Sequence, residues 1–160
     1  MPDTQTVNGT RLLLNGIGLR TYSVFYVHVY VAGLYLVHRS DDPESILQSP
    51  DYKLLSIRFL RDVTAEEART AWRDGFEENC KPPCNMGSKP VQEFLEAVRP
   101  LHKGDEAALL FTPAGVAVTL DRRPIGRIND PNFAELILST FIGQVPPTPR
   151  LKRELLGSRR

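Results

Sequence analysis

The sequence has little of three features that would point directly to a function: net charge, cysteine and long apolar runs. Its 160 residues carry a formal net charge of +1, and no basic stripe alternates with aromatic residues, so we expect no nucleic-acid partner. The most apolar stretch, residues 24–37, is too short to cross a bilayer and is interrupted by His28 and several tyrosines. We therefore expect no membrane span.

Only two cysteines are present, Cys80 and Cys84, in the segment CKPPC. A disulfide can close across three intervening residues, but the two prolines stiffen the loop, so the sequence leaves a disulfide and free thiols both open. A zinc site needs about four ligands, and no second cysteine or histidine pair is near. No metal site is predicted.

The amino-terminal segment does not show an apolar stretch behind a basic one, which is the pattern of a secretory signal peptide. The sequence as written therefore predicts a cytoplasmic protein. A periplasmic location is the alternative, because a mature protein whose signal peptide has been removed would read in the same way.

Standard catalytic motifs are also missing. The segment Gly16-Ile17-Gly18 lacks the third glycine and the following helix of a dinucleotide-binding loop. There is no phosphate-binding P-loop and no G-x-S-x-G nucleophile elbow. Acidic residues are scattered without a recognisable pair, so carboxylate acid–base chemistry is not indicated.

The segment from Leu14 to Val37 is the longest strand-like run, and its side chains alternate with the period of two that is typical of a β-strand. The odd positions, which we expect to pack against a layer of helices, are Phe25, Val27, Val29, Val31, Tyr35 and Val37. The even positions, where chemistry is expected, carry Tyr22, Tyr26, His28 and Tyr30, with Arg20 at the same parity.

A straight strand would hold Arg20 and Tyr30 about 33 Å apart, which is too far for both to contact one small ligand. We therefore expect the chain to turn. Gly16 and Gly18, preceded by Asn15, are predicted to form the bend or hairpin that returns Arg20 over the strand.

The rest of the chain alternates helices and strands without a regular βαβ rhythm. Further strands are predicted at 10–14, 52–60, 106–112, 116–120 and 124–128. Helices are predicted at 43–47, 64–78, 90–98, 131–141 and 151–156. This order favours one α+β domain over residues 1–160, with a mostly antiparallel sheet and a helical layer. The predicted core residues are Phe25, Val27, Val29, Val31, Leu55, Ile57, Phe59, Trp72, Phe76, Leu136 and Ile137.

Local signals mark where several helices begin. Thr64 and Glu67 form a capping box, and Asp42-Pro43 and Asp130-Pro131 place an N-cap aspartate before a proline in the first turn.

His28 lies between Tyr26 and Tyr30 at strand spacing. A buried, hydrogen-bonded histidine is the first interpretation, and a ligand contact or haem-iron ligation is the second.

Several motifs, taken together, resemble the chalcone isomerase-like family, and in particular its bacterial branch. They are NGIGLR at 15–20, YVAGLYL at 30–36, KLLSIRFLRDV at 53–63, KGD at 103–105, LLFTPAGV at 109–116, FIG at 141–143 and LLG at 155–157. The resemblance implies an open-faced β-sandwich: a large antiparallel sheet, a layer of helices on one side, and a ligand cleft between them.

In chalcone isomerases of this family an arginine favours a phenolate, while a tyrosine, a threonine and an asparagine organise water and substrate. By resemblance the arginine matches Arg20 and the threonine near the end of the chain matches Thr140. The strand threonine falls on Tyr30, the catalytic tyrosine near Ala68 and the asparagine near Gly75. An arginine without its tyrosine keeps an anion site but loses the oriented proton network.

Three functions follow as hypotheses. The first is a non-catalytic protein that binds a small, mostly apolar ligand, such as a fatty acid or a phenolic compound, without a cofactor. Its expected ligand-binding residues are Arg20, Tyr26, His28, Tyr30 and Thr140. The second is an isomerase or intramolecular lyase that uses Arg20, Tyr30 and Thr140. The third is a haem-binding protein with His28 as the iron ligand.

Overall fold

The computed structural model describes residues 1–22 and 27–157, and within them it shows a seven-stranded antiparallel sheet and five helices. The strands are β1 (Thr4–Val7), β2 (Thr10–Tyr22), β3 (Val27–Leu36), β4 (Lys53–Phe59), β5 (Glu106–Thr112), β6 (Gly115–Leu120) and β7 (Arg123–Ile128). The helices are α1 (Pro43–Gln48), α2 (Ala65–Asn79), α3 (Lys89–Glu96), α4 (Pro131–Ile142) and α5 (Pro149–Leu155). Each strand pairs with its neighbour in the chain. The predicted α+β fold is confirmed.

The helices begin where the sequence signals place them. The capping box at the start of α2 is present: Thr64 Oγ1 accepts from the amide of Glu67 at 3.0 Å, and Glu67 Oε1 accepts from the amide of Thr64 at 3.1 Å. Asp42 caps α1 and Asp130 caps α4, each with a proline in the first turn. These caps satisfy amides that have no partner inside the helix.

The two faces of the sheet are buried differently. The inner face packs against the helices and carries most of the core, and eight side chains of α4 are buried against it and its neighbours. The outer face carries a smaller cluster built on Leu12, Tyr35 and Leu54. On that face the hydroxyl of Tyr35 donates to the carbonyl of Pro2 at 2.8 Å.

The predicted orientation of β3 is wrong. Its even positions, including Tyr30 and Leu34, face the helices, whereas Val27, Val29 and Val31 are only half-buried. Both faces of this strand are apolar, so the period of two locates a strand but does not decide which side meets the helical layer.

The other core predictions fare better. Buried, as predicted, are Leu55, Ile57, Phe59, Phe76, Leu136 and Ile137. Trp72 is half-buried instead of core, because its large ring lies at the margin of the helical layer, and tryptophan is rarely covered completely. Phe25 lies outside the described residues.

The predicted bend at Gly16 and Gly18 is also wrong, because β2 continues through both. The strand shifts register between Leu14 and Gly16 but keeps its pairing with β3 on either side. The two glycines instead let α5 lie directly on the strand. A Cβ atom at Gly16 would meet the carbonyl oxygen of Leu155 at 2.7 Å, and one at Gly18 would meet Cδ1 of Leu151 at 2.6 Å.

The end of α2 is held in two ways. Cys80 and Cys84 form a disulfide with their Cα atoms 5.3 Å apart. Asn79 bonds to the segment after α4: its Nδ2 donates to the carbonyl of Val145 at 2.9 Å, and its Oδ1 accepts from the amide of Val145 at 3.2 Å. None of the helices in the described ranges is long and apolar enough to cross a membrane.

Candidate functional site

Arg20 and Tyr30 are directly opposite each other in the β2–β3 pair. Opposite residues in an antiparallel pair project from the same face, so both side chains belong to the inner face. The ring of Tyr30 packs edge to face against Phe59 and Phe141, at centroid distances of 5.8 and 6.4 Å. Burial raises the pKa of Tyr30 above its ordinary range, and the positive charge of Arg20 only partly opposes this. The phenol is therefore a neutral hydrogen-bond donor.

The guanidinium of Arg20 lies at the open end of the inner face. It donates to the carbonyl of Thr21 and lies 6.0 Å from the ring centroid of Tyr22, which is 62% exposed. Among residues 1–22 and 27–157, no carboxylate lies within 4.0 Å of this guanidinium. Arg20 thus offers a positive charge that no described acid neutralises.

Behind Tyr30 several aromatic rings lie between the sheet and the helices, and we call them the aromatic layer. Neighbouring rings have centroids 4.9 to 6.4 Å apart and mostly meet edge to face. Such contacts add to the area that the rings bury. The members of the aromatic layer are Tyr30, Phe59, Trp72, Phe76, Phe94, Phe133 and Phe141.

Thr140 lies on α4, where it faces α2. Its hydroxyl donates to the carbonyl of Ile137 at 2.6 Å, so its proton is already used within the helix. Its side chain packs against Gly75, where a Cβ atom would lie 3.3 Å from Thr140 Cβ and Cγ2. Ala68 is buried on the same helix as Gly75 and offers no polar group. In this arrangement Thr140 serves the contact between two helices.

His28 is exposed, so the interpretation as a buried, hydrogen-bonded histidine is wrong. It is the second residue of β3 and lies opposite Thr21 of β2. Tyr26 lies outside the described residues. Haem requires an apolar pocket around both faces of its ring, and the described surroundings of His28 do not provide one. The residues that the structure describes around His28 therefore do not fit haem.

Two pockets in the described part of the chain lie away from Arg20. A groove of about 490 Å³ runs between α1, α4 and the disulfide loop, and is lined by Leu47, Pro82, Phe133 and Glu135 among others. A smaller pocket of about 230 Å³ lies between α2 and α3, next to Arg69 and Arg73. Neither is lined by Arg20, Tyr30 or Thr140. The described residues also hold no group of three or more His, Cys, Asp or Glu side chains that could ligate a metal.

Comparison with known proteins agrees with this architecture. Residues 1–157 match the chalcone isomerase-like family. The chain belongs to this family. Among solved structures, a fatty-acid binding protein from Arabidopsis thaliana superimposes with a TM-score of 0.78. The match covers 98% of this chain and 91% of the plant protein at 14% sequence identity, which shows a shared fold. No curated protein sequence matches significantly.

Arg20 and Tyr30 lie on the side of the sheet that faces the helices. Sequence analysis named both residues as ligand contacts but placed them on the face away from the helices. It missed the ring contacts of Phe94 and Phe141 and treated Trp72 only as core. The apolar spacing of α2, α3 and α4 contained a signal for one buried face on each helix. That spacing gave no signal for which aromatic rings would contact one another.

Proposed function

We propose that this protein binds a small apolar molecule with an anionic head, such as a fatty acid, and does not transform it. The observation that carries the proposal is the pair of Arg20 and Tyr30 at the open end of the aromatic layer. A guanidinium and a neutral phenol both donate hydrogen bonds, and a carboxylate accepts from both. The similarity to a plant fatty-acid binding protein supports this ligand class.

The aromatic layer provides an apolar surface for the acyl chain of such a ligand. An acyl chain that leaves the head group at Arg20 passes Tyr30 and meets rings from α2, α3 and α4. Burial of each methylene contributes about 0.8 kcal/mol, so even a few buried methylenes give substantial affinity.

Isomerase chemistry is less compatible with these contacts. Ala68 has no hydrogen-bond donor at the position that matches the catalytic tyrosine, and the hydroxyl of Thr140 donates to its own helix. A bound phenolate would meet a positive charge without the groups that move its proton and polarise a ketone. These contacts therefore favour binding of the ligand over its chemical conversion.

Replacement of Arg20 by Gln should weaken binding of decanoate by about 1.5–3 kcal/mol, because a charge-assisted hydrogen bond is lost. Binding of decanol, which has the same chain and no charge, should change little. Isothermal titration calorimetry with both ligands measures the difference. The matched control is Arg127→Gln in β7, where an exposed arginine pairs with Ala117 and so belongs to the outer face.

The ligand-free Arg20→Gln protein should melt close to wild type, because no described carboxylate loses its partner. If the variant is instead destabilised while decanoate binds as well as before, Arg20 is a structural residue and the proposal fails.

We also propose that the protein belongs to the bacterial branch of the family and acts in the periplasm. The motifs at 15–20 and 30–36 support the branch. The disulfide supports an oxidising compartment, since such bonds rarely persist in the cytosol.

Thiol titration tests the disulfide on which this location rests. Protein exported to the periplasm, denatured without reductant, should show no free thiol, and the same sample after reduction should show both of its two cysteines. A Cys84→Ser variant provides the reference for one free thiol. Both cysteines free in the exported protein would contradict the disulfide and remove the support for this location.

A further inference from the structure

Trp72 occupies a particular place in the aromatic layer. Its ring lies 5.8 Å from Phe141, which in turn contacts Tyr30, and it lies 4.9 Å from Phe94 and 5.7 Å from Phe76 on its other sides. Along these contacts, an acyl chain that starts at Arg20 and passes Tyr30 meets Phe59 and Phe141 first, and Trp72 next. Trp72 lies between Phe141 and the rings of Phe76 and Phe94.

We propose that Trp72 is the specificity-determining residue of this site and sets the length of acyl chain that the protein binds. Its indole fills the space that the far end of a long chain takes, and the ring swings outward when such a chain enters. This inference rests on the proposed function, because it concerns the tail of the same ligand.

In this proposal the side chain of Trp72 moves and the helix does not, because the backbone of α2 is held in place. At Gly75 the helix approaches Thr140 so closely that even a methyl group would be in tight contact. At its end Asn79 bonds to both the amide and the carbonyl of Val145. At its start Thr64 and Glu67 complete the capping box. Lifting the helix would break the contacts at Gly75 and Asn79, while the capping box fixes only where the helix begins.

Among the rings, Trp72 is well suited to move. It is half-buried, whereas Phe76, Phe133 and Phe141 are buried and would leave an internal void if they rotated. Within the described residues its indole nitrogen makes no hydrogen bond, so an outward rotation loses ring contacts alone. Phe94 is half-buried too, but it lies beyond Trp72 as seen from Tyr30.

A dependence on chain length follows. Each buried methylene strengthens binding about fourfold, so affinity should rise along a series of carboxylates until the tail reaches the indole. A short acid such as hexanoate reaches Arg20 and Tyr30 without disturbing Trp72. A long acid such as hexadecanoate must displace the ring, and its affinity should gain little from the additional carbons.

The test is a calorimetric series from hexanoate to hexadecanoate on wild type and on Trp72→Ala, Trp72→Phe and Tyr52→Ala. Trp72→Ala should bind hexadecanoate at least about tenfold more tightly than wild type and hexanoate within about twofold. The affinity of Trp72→Phe for hexadecanoate should lie between those of wild type and Trp72→Ala. Tyr52→Ala, which removes a half-buried ring from the outer face, should keep the wild-type profile.

The fluorescence of wild type gives a second readout that needs no variant, because Trp72 is the single tryptophan of the chain. Hexadecanoate should shift its emission to longer wavelength and make it more accessible to acrylamide, and hexanoate should do neither. A shift to shorter wavelength would show that the tail covers the ring, and would overturn the inference.

Different results would contradict the proposed function and the proposed role of Trp72. If neither wild type nor the Trp72 variants bind any carboxylate, the proposed function is wrong. If wild type binds carboxylates through Arg20 but Trp72→Ala and Trp72→Phe keep its chain-length profile, only the role of Trp72 is wrong. If Trp72→Ala does not fold, the role of Trp72 is tested by Trp72→Phe and by the fluorescence of wild type.

Discussion

Ile57→Asp should abolish stable folding. Ile57 is only 4% exposed on the inner face, where it joins the main core cluster. A carboxylate there has no partner, and an unpaired buried charge is unfavourable by several kcal/mol in addition to the lost apolar contacts. The total stability of a domain is about 5–15 kcal/mol, so little or no folded protein should remain. Soluble yield and circular dichroism of the purified variant measure the outcome.

Val29→Asp is the matched control, because it places the same charge in the same sheet. Val29 is half-buried on the outer face, where the aspartate can reach water. This variant should fold and lose much less stability than Ile57→Asp. Equal damage from the two substitutions would show that the outer face of β3 is as closed as the inner one, and would contradict the orientation described for the strand.

Gly16→Ala should destabilise the protein by roughly 3–5 kcal/mol, because α5 must move away from β2. The new Cβ would lie against backbone atoms of α5, including the carbonyl oxygen of Leu155 at 2.7 Å, and backbone cannot rotate aside. Separation would expose Leu151 and Leu155, which are both fully buried, and each contributes about 1.5–3 kcal/mol when buried. Chemical denaturation followed by circular dichroism measures the loss.

Gly126→Ala in β7 is the control for the change of residue itself. Nothing lies within 4 Å of a Cβ atom at that position, so the substitution should be neutral or slightly stabilising. If Gly16→Ala is also neutral, α5 has room to move and the close contact of helix and strand is not a source of stability.

Much of the fold could be predicted from local patterns. The strands β4 to β7 appear as alternating segments separated by turn residues such as Pro113-Ala114-Gly115, and the helices begin at capping signals. β1 could not be predicted in this way, because Thr4–Val7 is short and mostly polar. The face of β3 that meets the helices depends on which neighbour packs there, and no local pattern contains that information.

The candidate site was predictable only in part. The sequence indicated that Arg20 and Tyr30 must approach each other, and the antiparallel pairing of β2 with β3 brings them together. The predicted route was wrong, because β2 continues through both glycines without a bend. The contact of Trp72 with Phe141 joins two helices distant in the sequence, and spacing within one helix cannot reveal such a partner.

The close packing of α5 on the two glycines of β2 has a consequence for the order of folding. The sheet is a meander, so β1 to β4 pair with strands made shortly before them, whereas β5 pairs with β4 only after α2 and α3 have been made. The helix that covers β2, α5, is made after the other described elements, and the side chain of Asn15 bonds to Leu155 across 140 residues of sequence. During translation β2 therefore pairs early but keeps its two glycines uncovered until α5 leaves the ribosome.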